Sequence, residues 1–213
     1  MKKVILTIIS TAGLFMPPIA SAQSTLLVSN LDQTPTGSAS IGSDAWIAQS
    51  INTWYNSQDY ILNSIQLLLN APSGSPSGFR VSLYSSKLNK DYLPASNLGS
   101  LEGSLNPSAS GVFTYTASNI TLSPNHTYFI VLTAATPVAQ GAYSWSKLNG
   151  WTRGEYGEID PYYCSSDNGS SWTSNVRSGQ FQLAIYATPV PEPGAYALFG
   201  FGLAALSFWR RRK

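Results

Sequence analysis

Residues 79–84 read Phe-Arg-Val-Ser-Leu-Tyr, an alternation of period two that turns Phe79, Val81 and Leu83 to one face of an extended strand. Segments of this kind recur from residue 26 to residue 187, separated by clusters of Gly, Pro, Ser and Asn. They are Leu26–Ser29, Ala45–Thr53, Tyr60–Leu69, Val112–Ala117, Ile120–Leu122, Tyr128–Leu132, Ala142–Ser146, Trp172–Val176 and Phe181–Ala187. Tyr60–Leu69 is the longest, and the Pro72–Pro76 break behind it favours a strand over a helix. Tyr128–Leu132 is apolar on both faces, as a central strand is. No stretch between the two ends carries a sustained helical stripe. The pattern predicts one all-β domain, residues 23–189, of about eight to ten strands arranged as a β-sandwich or jelly roll.

The two ends are of a different kind. Lys2 and Lys3 precede an apolar run from Val4 to Ala20, which closes on Ala20-Ser21-Ala22. A cationic start, an apolar middle and small residues at the cut make a secretory signal peptide over residues 1–22, with signal peptidase as the partner and Gln23 as the first mature residue. Pro17 and Pro18 break the helix just before the cut. At the other end, Val190-Pro191-Glu192-Pro193 is followed by an uncharged stretch and by Arg210, Arg211, Arg212 and Lys213. A helix over 194–209 is long enough to cross the bilayer once the arginine stems snorkel, with the basic tail on the cytoplasmic side. The two prolines bar helix and sheet, leaving an extended segment beside the membrane.

These last 24 residues resemble the PEP-CTERM sorting signal of Gram-negative bacteria. The resemblance implies an inner-membrane-anchored precursor, cut near Pro-Glu-Pro by an exosortase-like membrane protease and passed to the cell surface or released. The strand segments carry a second resemblance. "WIAQS", "YILNSIQLLL", "FRVSLYS", "LEGSLNPSASGVFTY" and "LSPNHTYFIVLT" come in the order found in choice-of-anchor R domains, exported bacterial β-domains with varied anchors. That resemblance implies a sandwich at the surface and brings no catalytic residues.

Charge narrows the function. Between Gln23 and Pro189 stand six Lys/Arg against nine Asp/Glu, a net charge of −3, so the chain's overall +2 comes from its two ends. A mildly acidic domain with few cations makes a poor nucleic-acid binder. Cys164 is the single cysteine, which excludes an internal disulfide. It is either an inert small hydrophobe or an exposed thiol open to intermolecular pairing. Asn119, Asn125 and Asn168 head N-x-Ser/Thr sequons, read as accidental in a bacterial protein.

Little in the chain suggests catalysis. His126 is the only histidine and reads as part of a turn; there is no G-x-S-x-G elbow, and zinc of the usual kinds is excluded. No cofactor is implied, and no catalytic residue is assigned. Glu155, Glu158 and Asp160 form an acidic patch that is either a solvated loop or, on a hydrolase, a glycosidase pair. Ser165, Asp167, Gly169, Ser171 and Trp172 fit the pattern S-x-D-x-G-x-S/T-W, which looks like the Asp-box of sialidases, a hairpin-stabilising turn. A calcium site there would need more than one carboxylate.

Aromatic residues crowd one region: Tyr143, Trp145, Trp151, Tyr156, Tyr162, Tyr163 and Trp172. Trp151, Tyr156, Tyr162 and Tyr163 lie in a Gly-rich, strand-poor stretch, and as exposed rings they would stack on the apolar faces of sugars. The alternative is that they plug the open end of the sandwich. The sequence therefore leads to an exported surface protein with a structural, adhesive or interaction role in a polysaccharide-rich envelope such as a biofilm. A carbohydrate-binding module is the alternative, and a jelly-roll hydrolase a weaker one.

Overall fold

A computed structural model describes residues 23–54, 56–87, 92–175 and 179–191. The expected signal peptide, Glu192 and Pro193, the membrane helix and the basic tail lie outside the described residues.

The described residues form fifteen strands and no helix. In chain order the first five are β1 (Thr25–Ser29), β2 (Gly37–Ile41), β3 (Trp46–Asn52), β4 (Tyr60–Gly74) and β5 (Arg80–Ser86). Next come β6 (Pro94–Ser100), β7 (Gly111–Thr116), β8 (Thr121–Leu122), β9 (Thr127–Thr133) and β10 (Gly141–Leu148). The last are β11 (Thr152–Arg153), β12 (Glu158–Ser165), β13 (Thr173–Ser174), β14 (Gln180–Phe181) and β15 (Leu183–Pro189).

Two antiparallel sheets result, as a β-sandwich requires. One runs β1-β15-β4-β10-β14, with β2 on β10 and β7 and β8 on β4; the other runs β11-β12-β3-β9-β5-β6, with β13 on β12. The strands outnumber the expected eight to ten for a physical reason. β2 (GSASI), β6 (PASNLGS) and the two-residue β11 lie outside the expected segments, being short or largely small and polar; the stretch read as strand-poor forms β12, whose alternation Pro161 interrupts; and Phe181–Ala187 divides between β14 and β15.

β4 is the spine of its sheet, pairing with β15, β10, β7 and β8. It runs on through Pro72, because its ladder to β10 shifts register between Ala142 and Ser144 and asks no hydrogen of the proline.

Inward side chains of both sheets form one core. Phe79, Val81 and Leu83 are buried in it, facing Leu67, Leu69 and Tyr143 of the other layer. Phe79 meets Tyr143 edge-on at 4.9 Å, and Tyr162 meets Phe181 at 4.7 Å, each contact joining the two layers. A second, smaller cluster lies on the outer face of the second sheet. There Ala48, Phe129 and Val131 are buried beneath Trp46, Tyr84, Tyr163 and Trp172. β9 is thus apolar on both faces because both faces are covered.

Candidate functional site

Pro161 decides the shape of one end of that outer face. Proline has no N–H for a ladder, so a proline inside a paired strand calls for a bulge. β12 follows β3 in register at Glu158↔Asn52 and Ile159↔Ile51, then skips to Tyr162↔Gln49. Asp160 and Pro161 stand in the bulge, and side chains of β3 replace the lost ladder. Gln49 Nε2 donates to the Asp160 carbonyl, Ser50 Oγ to the Pro161 carbonyl and Asn52 Nδ2 to Asp160 Oδ2. Gln49 Oε1 in turn accepts the Phe181 N–H of the opposite sheet at 2.8 Å. A buried amide therefore ties the bulge to both layers.

Above the bulge opens a cleft of about 250 Å³. Its aromatic walls are Trp54 from the β3–β4 loop, Tyr92 from the β5–β6 connection, Trp151 from the β10–β11 connection and Tyr163 on β12. Trp151, Tyr92 and Trp54 are 63%, 53% and 47% exposed. Three large rings thus stand in water around one concavity. Ser50, Thr127 and Asp160 supply polar atoms between them. Tyr163 is fixed from below by Phe129, edge to face at 5.4 Å.

Burial pushes the Asp160 carboxyl up to about 6; the Asn52 hydrogen bond opposes this and the neighbouring Glu158 charge adds to it. A raised acid holds its proton in the folded state while the unfolded chain, near 3.9, has lost it, so stability falls as pH rises from about 4 through 6. Asp160→Asn is expected to flatten that slope, which thermal melts across pH 4–7 would read. An unchanged slope would remove Asp160 as its source.

Of the four aromatics singled out from the sequence, the cleft takes Trp151 and Tyr163. Tyr162 is turned inward, 6% exposed against Phe181, because the bulge shifts which of two adjacent tyrosines faces out. Tyr156 is half-buried in the β11–β12 turn beside Tyr60, ring centres 6.1 Å apart. Tyr143 and Trp145 belong to the core. Trp54 and Tyr92 escaped the sequence reading, since they lie far along the chain from the 143–172 crowd. Their only local signal is an aromatic set among Asn, Ser, Asp and Lys in a polar loop.

Ser165 to Trp172 make the turn between β12 and β13. Asp167 accepts the Ser171 hydroxyl at 2.6 Å, the Ser171 N–H at 2.8 Å and the Ser165 hydroxyl at 2.7 Å. Those bonds, the Ser171 hydroxyl foremost, hold its carboxyl down to about 2. Gly169 takes φ +80 under the rings of Trp46 and Trp172, where a Cβ would stand 2.9 Å from Trp46. His126 Nδ1 lies 2.7 Å from the Pro124 carbonyl in the β8–β9 turn. Cys164 is half-buried against the core, and burial raises its thiol pKa. Glu155 is exposed in the β11–β12 turn, outside β12, whereas Glu158 and Asp160 stand on that strand. Among the described residues no group of three His, Cys, Asp or Glu stands ready for a metal ion.

The fold ends where the tail begins. Pro189 closes β15 opposite Tyr60, and the Val190 N–H donates to Asp59 O at 2.9 Å. Asp59 lies in the loop that carries Trp54, so the tail leaves the domain from the β3–β4 connection that also walls the cleft. No curated protein and no solved structure matches the chain. Residues 189–213 match the model of the PEP-CTERM protein-sorting motif, which marks the chain as an exported, C-terminally membrane-anchored precursor of a Gram-negative bacterium, sorted by an exosortase-type membrane protease.

Proposed function

We propose that the sorted domain is a surface or matrix protein that adheres to extracellular polysaccharide through the cleft of Trp54, Tyr92, Trp151 and Tyr163. The observation that carries this reading is three exposed rings around one concavity with hydroxyl and carboxylate groups between them. Rings of this size stack on the apolar face of a sugar while its hydroxyls bond the polar groups. The resemblance of the strand segments to choice-of-anchor R domains supports the same setting. Signal peptidase processing before Gln23 and delivery to a biofilm-like envelope complete the proposal.

Trp151→Ala removes the most exposed ring and leaves the core untouched. Loss of its stacking area is worth about 1.5–3 kcal/mol, or about ten- to a hundredfold in Kd. Titration of the domain with envelope polysaccharide, followed by tryptophan fluorescence, reads it. Saturable binding with the same Kd in Trp151→Ala and Trp54→Ala would sink the cleft.

One observation favours a hydrolytic reading instead: Asp160 is a carboxyl held near 6 with Glu158 beside it, as the acid of a glycosidase pair is. Polysaccharide cleavage abolished by both Asp160→Asn and Glu158→Gln would make the domain an enzyme. Intact polymer after prolonged incubation would end that reading.

A further inference from the structure

A second concavity, of about 360 Å³, opens at the other end of the same sheet face. Trp46, Arg80, Tyr84, Asn97 and Thr133 line it. Thr127 belongs to the first cleft and Thr133 to the second, and both stand on β9 six residues apart, about 20 Å along the strand. Phe129 and Val131 lie between them on the same face, covered by Tyr84, Tyr163 and the two tryptophans. The two concavities therefore lie on one sheet face, with those rings between them.

Arg80 gives the second concavity its chemistry. It opens β5, pointing away from the core side of Phe79 and Val81, and is exposed. Its guanidinium makes no hydrogen bond or ion pair with any of the described residues. A planar fork of donors in a concavity that Trp46, Tyr84 and Asn97 also line matches a carboxylate on a sugar ring. The opposite end of the face holds the Asp160 carboxyl, which disfavours a second anion there.

We infer that the two concavities and the rings between them make one groove for a single strand of acidic polysaccharide, with a uronate carboxylate on Arg80 and a neutral sugar over Trp151. The inference rests on the reading of the first cleft as a sugar site and adds the charge, length and direction of the ligand.

Hyaluronan oligosaccharides, which alternate uronate and neutral sugar, and their neutral methyl esters are the probes. Both are titrated calorimetrically into the full-length chain in detergent. The acid is expected to bind about tenfold more tightly than the ester, and Arg80→Gln, a surface change, to bring it down to the ester's affinity. Trp151→Ala is expected to weaken both. Equal affinity for acid and ester, or an acid preference that survives Arg80→Gln, overturns the groove while leaving a Trp151-dependent cleft standing. An acid preference that needs Arg80 and ignores Trp151 overturns the shared groove and the cleft reading together. Binding of neither sugar overturns the inference as well.

Discussion

Trp145→Ala is expected to cost the domain about 3–5 kcal/mol, a large part of the 5–15 kcal/mol that holds a domain of this kind together. Trp145 is fully buried on β10, where it faces Leu69 of β4 and Ala39 of β2 in the ladder. Its ring stacks on Phe181 at 4.6 Å with 21° between the planes, and Phe181 in turn meets Tyr162 of the other sheet. Removing the indole therefore leaves a void that touches both layers, and packed strands collapse into it only partly. Its Nε1–H also donates to Gln182 O at 2.9 Å. That carbonyl accepts Leu68 N–H as well, so the lost indole bond does not orphan it. Trp145→Phe, which keeps most of the volume, should accordingly cost less. Urea unfolding of both variants reads the difference. A Trp145→Ala loss below about 1 kcal/mol would mean the core relaxes freely around the site.

The strands with clean alternation were legible because burial and sequence agree there. Phe79, Val81 and Leu83 go in, and Arg80 goes out. Gln180-Phe181-Gln182-Leu183 shows where alternation misleads. Period two puts the glutamines in water, yet Gln180 is 1% exposed and Gln182 fully buried. Gln180 Nε2 bonds Ile159 O, Gln182 Nε2 bonds Asn30 O and Gln33 O, and Asn30 accepts Leu183 N–H at 2.7 Å. Those partners lie up to 153 residues away, so no local window reveals them. The candidate site failed in the same manner. Of Tyr162 and Tyr163, which faces out is set by a bulge whose only sequence sign is Pro161. Trp54 and Tyr92 reach Trp151 only through the pairing of β3 with β12 and β9. The tail needed no such context, since an address read by a membrane protease has to be linear.

Gln49→Leu provides the second large effect, and it separates stability from binding. The side chain is fully buried and bonded at both ends of its amide. Leucine, one heavy atom shorter, keeps the site apolar and leaves the Phe181 N–H and the Asp160 carbonyl without their partner. Each such group costs about 1–3 kcal/mol when buried, so the variant should lose about 2–6 kcal/mol. A purely structural defect would stop there. Because Gln49 pins the bulge that floors the cleft, and lines none of it, the same substitution should also weaken sugar binding. Ile65→Ala supplies the comparison: Ile65 is fully buried on β4 in the other sheet, and its loss should cost a similar 2–5 kcal/mol. Equal destabilisation with a raised Kd in Gln49→Leu alone is the expected pair of results. Should both variants bind like the parent, the bulge keeps its shape without the amide, and preorganisation of the cleft must come from Ser50 and Asn52.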